Sequence, residues 1–224
     1  VDLVLELPTL YATSSAENFA DGAIKLLNSL KIVDYIAFGA ETSNVDILSE
    51  LADVLYREPK EYKNILTTEL KKGISFPKAR ENALIMYLNN SKKYSNILSS
   101  PNNILGIEYI KALKKHKSKI VPVAIPRFEA GYNDSDFSGN IASATAIRNI
   151  VKNGGFDILR RLLPESSYSI LMDNIKQGHF VTDLSAFEKE IIYTLRKMDI
   201  KEIANLPDVS EGLEFAIKNT ANSC

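Results

Sequence analysis

Two short apolar segments separated by a helical pattern constrain the fold of this chain more than any other feature. Residues 1–7 and 33–38 have the length and the branched or aromatic side chains of buried strands. Between them, residues 16–30 keep one helical face apolar. A strand, a helix and a second strand in this order favour a parallel pair joined by a right-handed crossover. The sequence therefore predicts an α/β fold.

A third strand is predicted over residues 120–125, and Pro126 and Arg127 follow its carboxyl end. Gly39 follows the strand predicted over residues 33–38 in the same way. The carboxyl ends of parallel strands share one edge of the sheet, where α/β folds bind ligands. We therefore expect Gly39 and Arg127 to lie near each other at a ligand-binding edge, although an ordinary turn glycine would also fit the first position.

Two asparagines, Asn102 and Asn103, precede the helix predicted over residues 104–117. One of them can cap this helix by accepting a hydrogen bond from an amide of its first turn. The other is then free to contact a ligand, because helix starts fall at the same edge as the strand ends. The residue types alone do not decide which asparagine has which role.

Residues 141–148, Ile-Ala-Ser-Ala-Thr-Ala-Ile-Arg, place the hydroxyls of Ser143 and Thr145 where another helix is predicted to begin. The first amides of a helix lack intrahelical partners, and its dipole is positive there. Arg148 lies within about one turn of that start, so its guanidinium can fold back over it. Amides, hydroxyls and a guanidinium together can bind phosphate. A capped surface helix with an ordinary arginine is the alternative.

The octapeptide resembles the serine/threonine-and-arginine phosphate motif of nucleotidylyltransferases, with Ala144 where many members have a second serine. Residues 100–109, Ser-Pro-Asn-Asn-Ile-Leu-Gly-Ile-Glu-Tyr, and residues 127–132, Arg-Phe-Glu-Ala-Gly-Tyr, narrow the match. Together they are similar to the bacterial tRNA(Met) cytidine acetate ligase family, and the resemblance covers most of the chain. It implies an enzyme that uses ATP to activate acetate as acetyl-adenylate. The acetyl group then goes to the wobble cytidine of elongator tRNA(Met).

The resemblance also implies which residues contact ATP, and it favours Asn102 over its neighbour. The implied ATP-binding residues are Gly39, Asn102, Arg127, Ser143, Thr145 and Arg148. No catalytic side chain follows from the sequence, since this chemistry rests on positioning and charge neutralisation. We expect Mg²⁺ to arrive with ATP, because the sequence has no Cys/His metal set and phosphates and water suffice to hold it.

The sequence departs from the family at both ends. Family members open with a strand and a loop that carries a His-x-Gly-His-type signature, whereas the two histidines here, His116 and His179, lie in other settings. The chain also ends at Cys224, before the basic C-terminal segment of the family. We interpret the sequence as a central fragment without the first sheet strand, and we expect this chain alone to be inactive.

The predicted fold class is α/β, with a Rossmann-like nucleotidylyltransferase sheet and an all-α C-terminal domain. We assign residues 1–153 to the ATP-binding domain, with a helical insertion at about residues 44–98. After Asn153-Gly154-Gly155 only helical patterns remain, and we assign residues 154–224 to a domain that faces the tRNA. A net charge of −1 gives no overall electrostatic footprint for nucleic acid.

Composition leaves three functions open. No apolar run reaches the length of a membrane span, and a single cysteine excludes an intramolecular disulfide framework, so we expect a cytoplasmic protein without membrane contact. Besides the ligase, the motifs fit a nucleotidylyltransferase that makes a small cofactor, which would leave the helical domain unexplained. A non-catalytic fragment that binds RNA or protein is the third hypothesis. The oligomeric state is not indicated.

Overall fold

A computed structural model describes residues 2–94, 97–127, 142–179 and 184–223. The chain forms two compact units, Val1–Arg127 and Phe128–Cys224. The motif residues 128–132 and Ile141 lie outside the described residues. No helix in the described ranges is long and apolar enough to cross a membrane.

The sheet of the first unit has two parallel strands, β1 (Tyr35–Ala40) and β2 (Val121–Pro126). Gly39 is the register partner of Ile125, close to the carboxyl ends of both strands. The side chains that β1 buries are Ile36, Phe38 and Ala40. Both strands begin slightly later than predicted, and the prediction of a parallel sheet is confirmed.

Helices pack on one face of this sheet and supply most of the first unit. They are α1 (Thr9–Ala12), α2 (Ala16–Leu30), α3 (Val45–Arg57), α4 (Lys60–Leu70), α5 (Phe76–Leu88), α6 (Ser91–Tyr94) and α7 (Pro101–Lys115). The block from α3 to α6 lies where the helical insertion is predicted, and its described residues contain no strand. One core cluster includes residues of α3, α7 and β1, and a second includes residues of α2, α7 and β1. Helix α7 is therefore central to the unit.

Gly106 allows α7 to lie against β1. A Cβ atom at this position would come within 2.5 Å of Phe38 Cε2, closer than real Cβ contacts. Only a residue without a side chain permits this separation of helix and strand. The same packing brings the first turn of α7 beside the loop after β1, where the Thr42 amide donates to Asn103 Oδ1 at 2.9 Å.

The strand predicted over residues 1–7 is not formed in the described part of that segment. Residues 2–8 have no regular secondary structure, and β1 and β2 pair with each other alone among the described residues. An apolar run becomes a strand only where a neighbour takes up its backbone hydrogen bonds. Leu3, Leu5 and Leu7 instead line an apolar groove of about 570 Å³, and Leu3 remains 62% exposed.

The second unit is helical throughout its described part. Its helices are α8 (Ala144–Lys152), α9 (Phe156–Leu162), α10 (Glu165–Lys176), α11 (Glu188–Lys197), α12 (Ile200–Ala204) and α13 (Leu213–Ser223), with a 3₁₀ helix at Leu184–Phe187. Helix α8 packs on α9 through Ile150, Val151 and Leu159. The compact units divide after Arg127, so α8 belongs to the second one, while the functional boundary expected near Gly154 stays a prediction.

Candidate functional site

The carboxyl edge of the sheet brings Gly39 and Arg127 together. The Arg127 amide donates to the Ala40 carbonyl oxygen at 3.0 Å, which extends the strand pairing by one residue beyond β2. A Cβ atom on Gly39 would lie 3.2 Å from Arg127 Cγ, which is tighter than most such contacts. Glycine at this point therefore leaves room for the arginine side chain to pass over β1.

Asn102, in the first turn of α7, holds the guanidinium of Arg127. Its Oδ1 accepts from Arg127 Nη1 at 3.2 Å, and its Nδ2 donates to Glu41 Oε1 at 2.7 Å. Arg127 is exposed, and among the described residues it forms no ion pair. A guanidinium has five N–H donors, so the donors that Asn102 does not use are available to an anion.

The neighbouring Asn103 has a structural role. Its side chain is almost fully buried, and its Oδ1 accepts from the Thr42 amide. This bond fastens the loop after β1 to the start of α7. Neither asparagine side chain caps α7. The prediction that one of the two would cap this helix is therefore wrong.

Glu41 caps α7 instead, a role that was not predicted from the sequence. Its Oε2 accepts from the Asn103 amide at 2.8 Å, and its Oε1 from the Asn102 amide at 3.4 Å. Burial alone would raise the pKa of Glu41, but the hydrogen bonds from Asn102 and from these amides outweigh it and lower the pKa. The sequence signal is weak, because an acidic residue after a strand does not indicate which helix start it will reach.

The helix start predicted at Ser143 is formed. Ser143 Oγ accepts from the Ala146 amide at 3.1 Å and caps α8. Thr145 and Arg148 are exposed on this helix, and neither side chain has a polar partner within the described ranges. Hydroxyl and guanidinium groups are thus accessible at and near the positive end of α8.

The six predicted ATP-binding residues fall into two groups. Gly39, Asn102 and Arg127 lie together in the first compact unit, and Ser143, Thr145 and Arg148 lie in the second. Their convergence on one ligand stays a prediction. In the described part of the chain no group of three or more His, Cys, Asp or Glu side chains could hold a metal ion.

A protein family and several known proteins match this chain. The family described as HIGH Nucleotidyl Transferase matches residues 1–224. The chain is 46% identical over 222 residues to a tRNA(Met) cytidine acetate ligase of Caldanaerobacter subterraneus subsp. tengcongensis, covering 99% of this chain and 55% of that protein. It is 45% identical over 219 residues to the ligase of the same name from Clostridium novyi, covering 97% of this chain and 54% of the relative.

The fold of this chain is also similar to solved structures. Thermotoga maritima TmcAL bound with alpha-thio ATP matches with a TM-score of 0.89 and 35% identity, over 100% of this chain and 53% of that one. The apo form of the same protein matches with a TM-score of 0.91 and 36% identity, over 100% and 54%. The chain spans about half the length of the relatives it matches.

Proposed function

We propose a function for this chain from one premise: it belongs to the HIGH nucleotidyl transferase family. We infer that it forms the nucleotide-binding part of an ATP-dependent ligase that acetylates the wobble cytidine of elongator tRNA(Met). The observation that carries this proposal is the cluster of Gly39, Asn102 and Arg127 at the carboxyl edge of the sheet. The names of the relatives support the reaction, and the relative bound with alpha-thio ATP supports the nucleotide.

The first unit would bind ATP through Arg127 and the backbone around Gly39. The N–H groups of Arg127 that do not contact Asn102 would donate to phosphate oxygens, and their fork geometry suits two oxygens at once. Gly39 leaves the space over β1 to the Arg127 side chain, which would carry the guanidinium towards the phosphates. Asn102 would hold the arginine in place, and its second amide proton remains available for adenosine.

The second unit would bind phosphate at the start of α8. Ser143 caps the helix, and the amides of its first turn together with Thr145 and Arg148 offer donors to an anion. Mg²⁺ fits the site only as a companion of ATP, since the described residues offer no cluster of protein ligands for it. Phosphate oxygens and water would hold the ion, and its charge would offset that of the triphosphate.

The proposed reaction has two steps. An acetate oxygen attacks the α-phosphorus of ATP, pyrophosphate leaves, and acetyl-adenylate forms. The exocyclic amine of the cytidine then attacks the acetyl carbon, AMP leaves, and the amine loses a proton. The arginines would neutralise the charge that builds up on the phosphates in the first step, so no nucleophilic side chain is needed. Because the proposed substrate is a tRNA, we expect the reaction to take place in the cytoplasm.

ATP–pyrophosphate exchange in the full-length protein tests the proposal. We expect exchange that depends on acetate, and transfer of radiolabelled acetyl groups to elongator tRNA(Met) but not to a transcript in which the wobble cytidine is replaced by uridine. Exchange that proceeds without acetate and requires a phosphorylated cofactor precursor would support the cofactor-forming alternative instead. Absence of both activities in folded protein would leave the non-catalytic hypothesis.

A further inference from the structure

We propose that Glu41 is a positioning residue for nucleotide binding, because it orients the Asn102 amide that holds the guanidinium of Arg127. This inference rests on the proposed function of the same edge of the sheet. It assigns a role to a side chain that would not itself touch the nucleotide.

The three side chains form one chain of hydrogen bonds. Glu41 Oε1 accepts from Asn102 Nδ2 at 2.7 Å, and Asn102 Oδ1 accepts from Arg127 Nη1 at 3.2 Å. Glu41 also accepts from the backbone amides of Asn102 and Asn103. The carboxylate therefore fixes both the backbone and the side chain of Asn102.

The direction of the Asn102 amide follows from the charge of Glu41. An ionised carboxylate only accepts hydrogen bonds, so the NH₂ end of the amide must face it and the carbonyl end must face Arg127. If the amide were rotated by half a turn, its NH₂ group would oppose the N–H groups of Arg127, and its carbonyl oxygen would oppose the carboxylate. Both contacts would be repulsive, and the rotated amide is thus excluded while Glu41 is in place.

The intervening amide also keeps the charge of Arg127 available. Within the described ranges no carboxylate pairs with Arg127, and Glu41 reaches it only through a neutral group. A direct ion pair would hold the arginine equally well but would compete with phosphate for its donors. A carboxylate that acts through an asparagine orients the guanidinium and leaves its remaining N–H donors available to phosphate.

Calorimetric titration of the full-length protein with ATP and Mg²⁺ tests the inference through a double-mutant cycle. We expect Glu41→Ala to weaken ATP binding about tenfold, because Arg127 loses its oriented partner. In the Asn102→Ala background, adding Glu41→Ala should change the dissociation constant by less than about twofold, since Glu41 acts through Asn102. Glu41→Gln, which has one acceptor oxygen instead of two, should cause a smaller loss of about threefold, and it replaces Glu41→Ala if that variant does not fold.

Asn44→Ala is the matched control for a loss of helix capping. Asn44 lies three residues after Glu41 and caps α3 by accepting from the Ile47 amide at 3.2 Å. Among the described residues no hydrogen bond joins its side chain to Asn102 or Arg127. We expect this variant to melt at a lower temperature and to bind ATP like the wild type. Glu41 variants that melt lower but keep the wild-type dissociation constant, or losses that add up in the double mutant, would overturn the positioning role. A wild-type protein that does not bind ATP would instead refute the proposed function, and the inference with it.

Discussion

Arg127 lies at the edge of the sheet, and within the described ranges no carboxylate neutralises its positive charge. Its backbone continues the pairing of β1 and β2, so its Cα is held by the sheet, and Asn102 restrains the far end of its side chain. Restraint at both ends lowers the entropy that the side chain would lose on binding an anion. An arginine held in this way is suited to binding phosphate rather than to stabilising the fold.

Replacing Arg127 with alanine should therefore weaken ATP binding strongly and alter stability little. We expect a loss of about 2–3 kcal/mol, the typical contribution of hydrogen bonds to a charged group, measured by calorimetry on the full-length protein. Arg57→Ala is the control, because Arg57 is exposed on α3 and its one ion pair within the described ranges is with Asp53 at 3.8 Å. An unchanged dissociation constant in the Arg127 variant would mean that this arginine does not contact the nucleotide.

Asp21 shows how a single buried carboxylate links two elements. It lies on α2 and contacts Lys25 Nζ at 2.7 Å, Lys115 Nζ at 3.0 Å and His116 Nε2 at 2.7 Å, the last two from the end of α7. Burial alone would raise the pKa of Asp21, but the bonds from these three side chains lower it well below its ordinary value of 3.8. The ionised form is thus favoured in the folded protein, which makes part of the stability dependent on pH.

Asp21→Asn should destabilise the protein at neutral pH by about 2–3 kcal/mol, because three donors lose an ionised partner. The folded-state pKa is the lower one, so this contribution is complete well above the ordinary value of 3.8 and declines below it. The expected decline is about 1.4 kcal/mol per pH unit. Urea unfolding of the wild type and the variant from neutral pH into the acid range measures it. A difference between the two proteins that stays constant with pH would contradict the lowered pKa.

At the scale of elements, Gly106 sets the distance between α7 and β1. A methyl group there would overlap the Phe38 ring, so either the ring or the helix must move. We expect Gly106→Ala to lower the free energy of unfolding by about 1–3 kcal/mol, the range for overpacked cores, and to weaken ATP binding because α7 carries Asn102. Urea unfolding and calorimetry test both effects.

A compensating variant separates overpacking from other effects of that substitution. Phe38→Leu removes ring atoms from the contact, so the double variant with Gly106→Ala should recover part of the stability that each single variant loses. Losses that simply add would mean that Gly106 matters for a reason other than its contact with Phe38.

Elements that have local signals were predictable from the sequence, and contacts between distant residues were not. Strands β1 and β2 and the cap at Ser143 depend on neighbouring residues, and their predictions agree with the structure. The segment over residues 1–7 has a strand pattern but no described strand beside it, so the strand predicted from that pattern is not formed in its described part. Glu41 was missed because its partners lie 61 and 62 positions away in the sequence. No periodic pattern encodes such a contact.

At the scale of the whole molecule, the described residues include two groups of candidate ATP-binding residues in separate compact units. Gly39, Asn102 and Arg127 have a described geometry in the first unit, and Ser143 and Arg148 lie on α8 in the second. The parallel-sheet topology predicted that helix starts and strand ends share one edge, and this prediction covers both groups. A single nucleotide that contacts both would couple the two units energetically, since each ordered contact lowers the cost of making the next.

Hydrogen–deuterium exchange of the full-length protein with and without ATP tests that coupling. We expect ATP to slow exchange in residues 39–42 and 102–103 and also in the first turn of α8, whose amides would face phosphate. Helix α13, which carries none of the predicted contacts, is the internal control and should exchange at the same rate in both states. Arg148→Lys should abolish the slowing at α8 while leaving that of residues 102–103 in place, because lysine lacks the planar fork. Slower exchange in the first unit alone, in the wild-type protein, would show that α8 does not contact the nucleotide and that the sheet edge binds ATP without it.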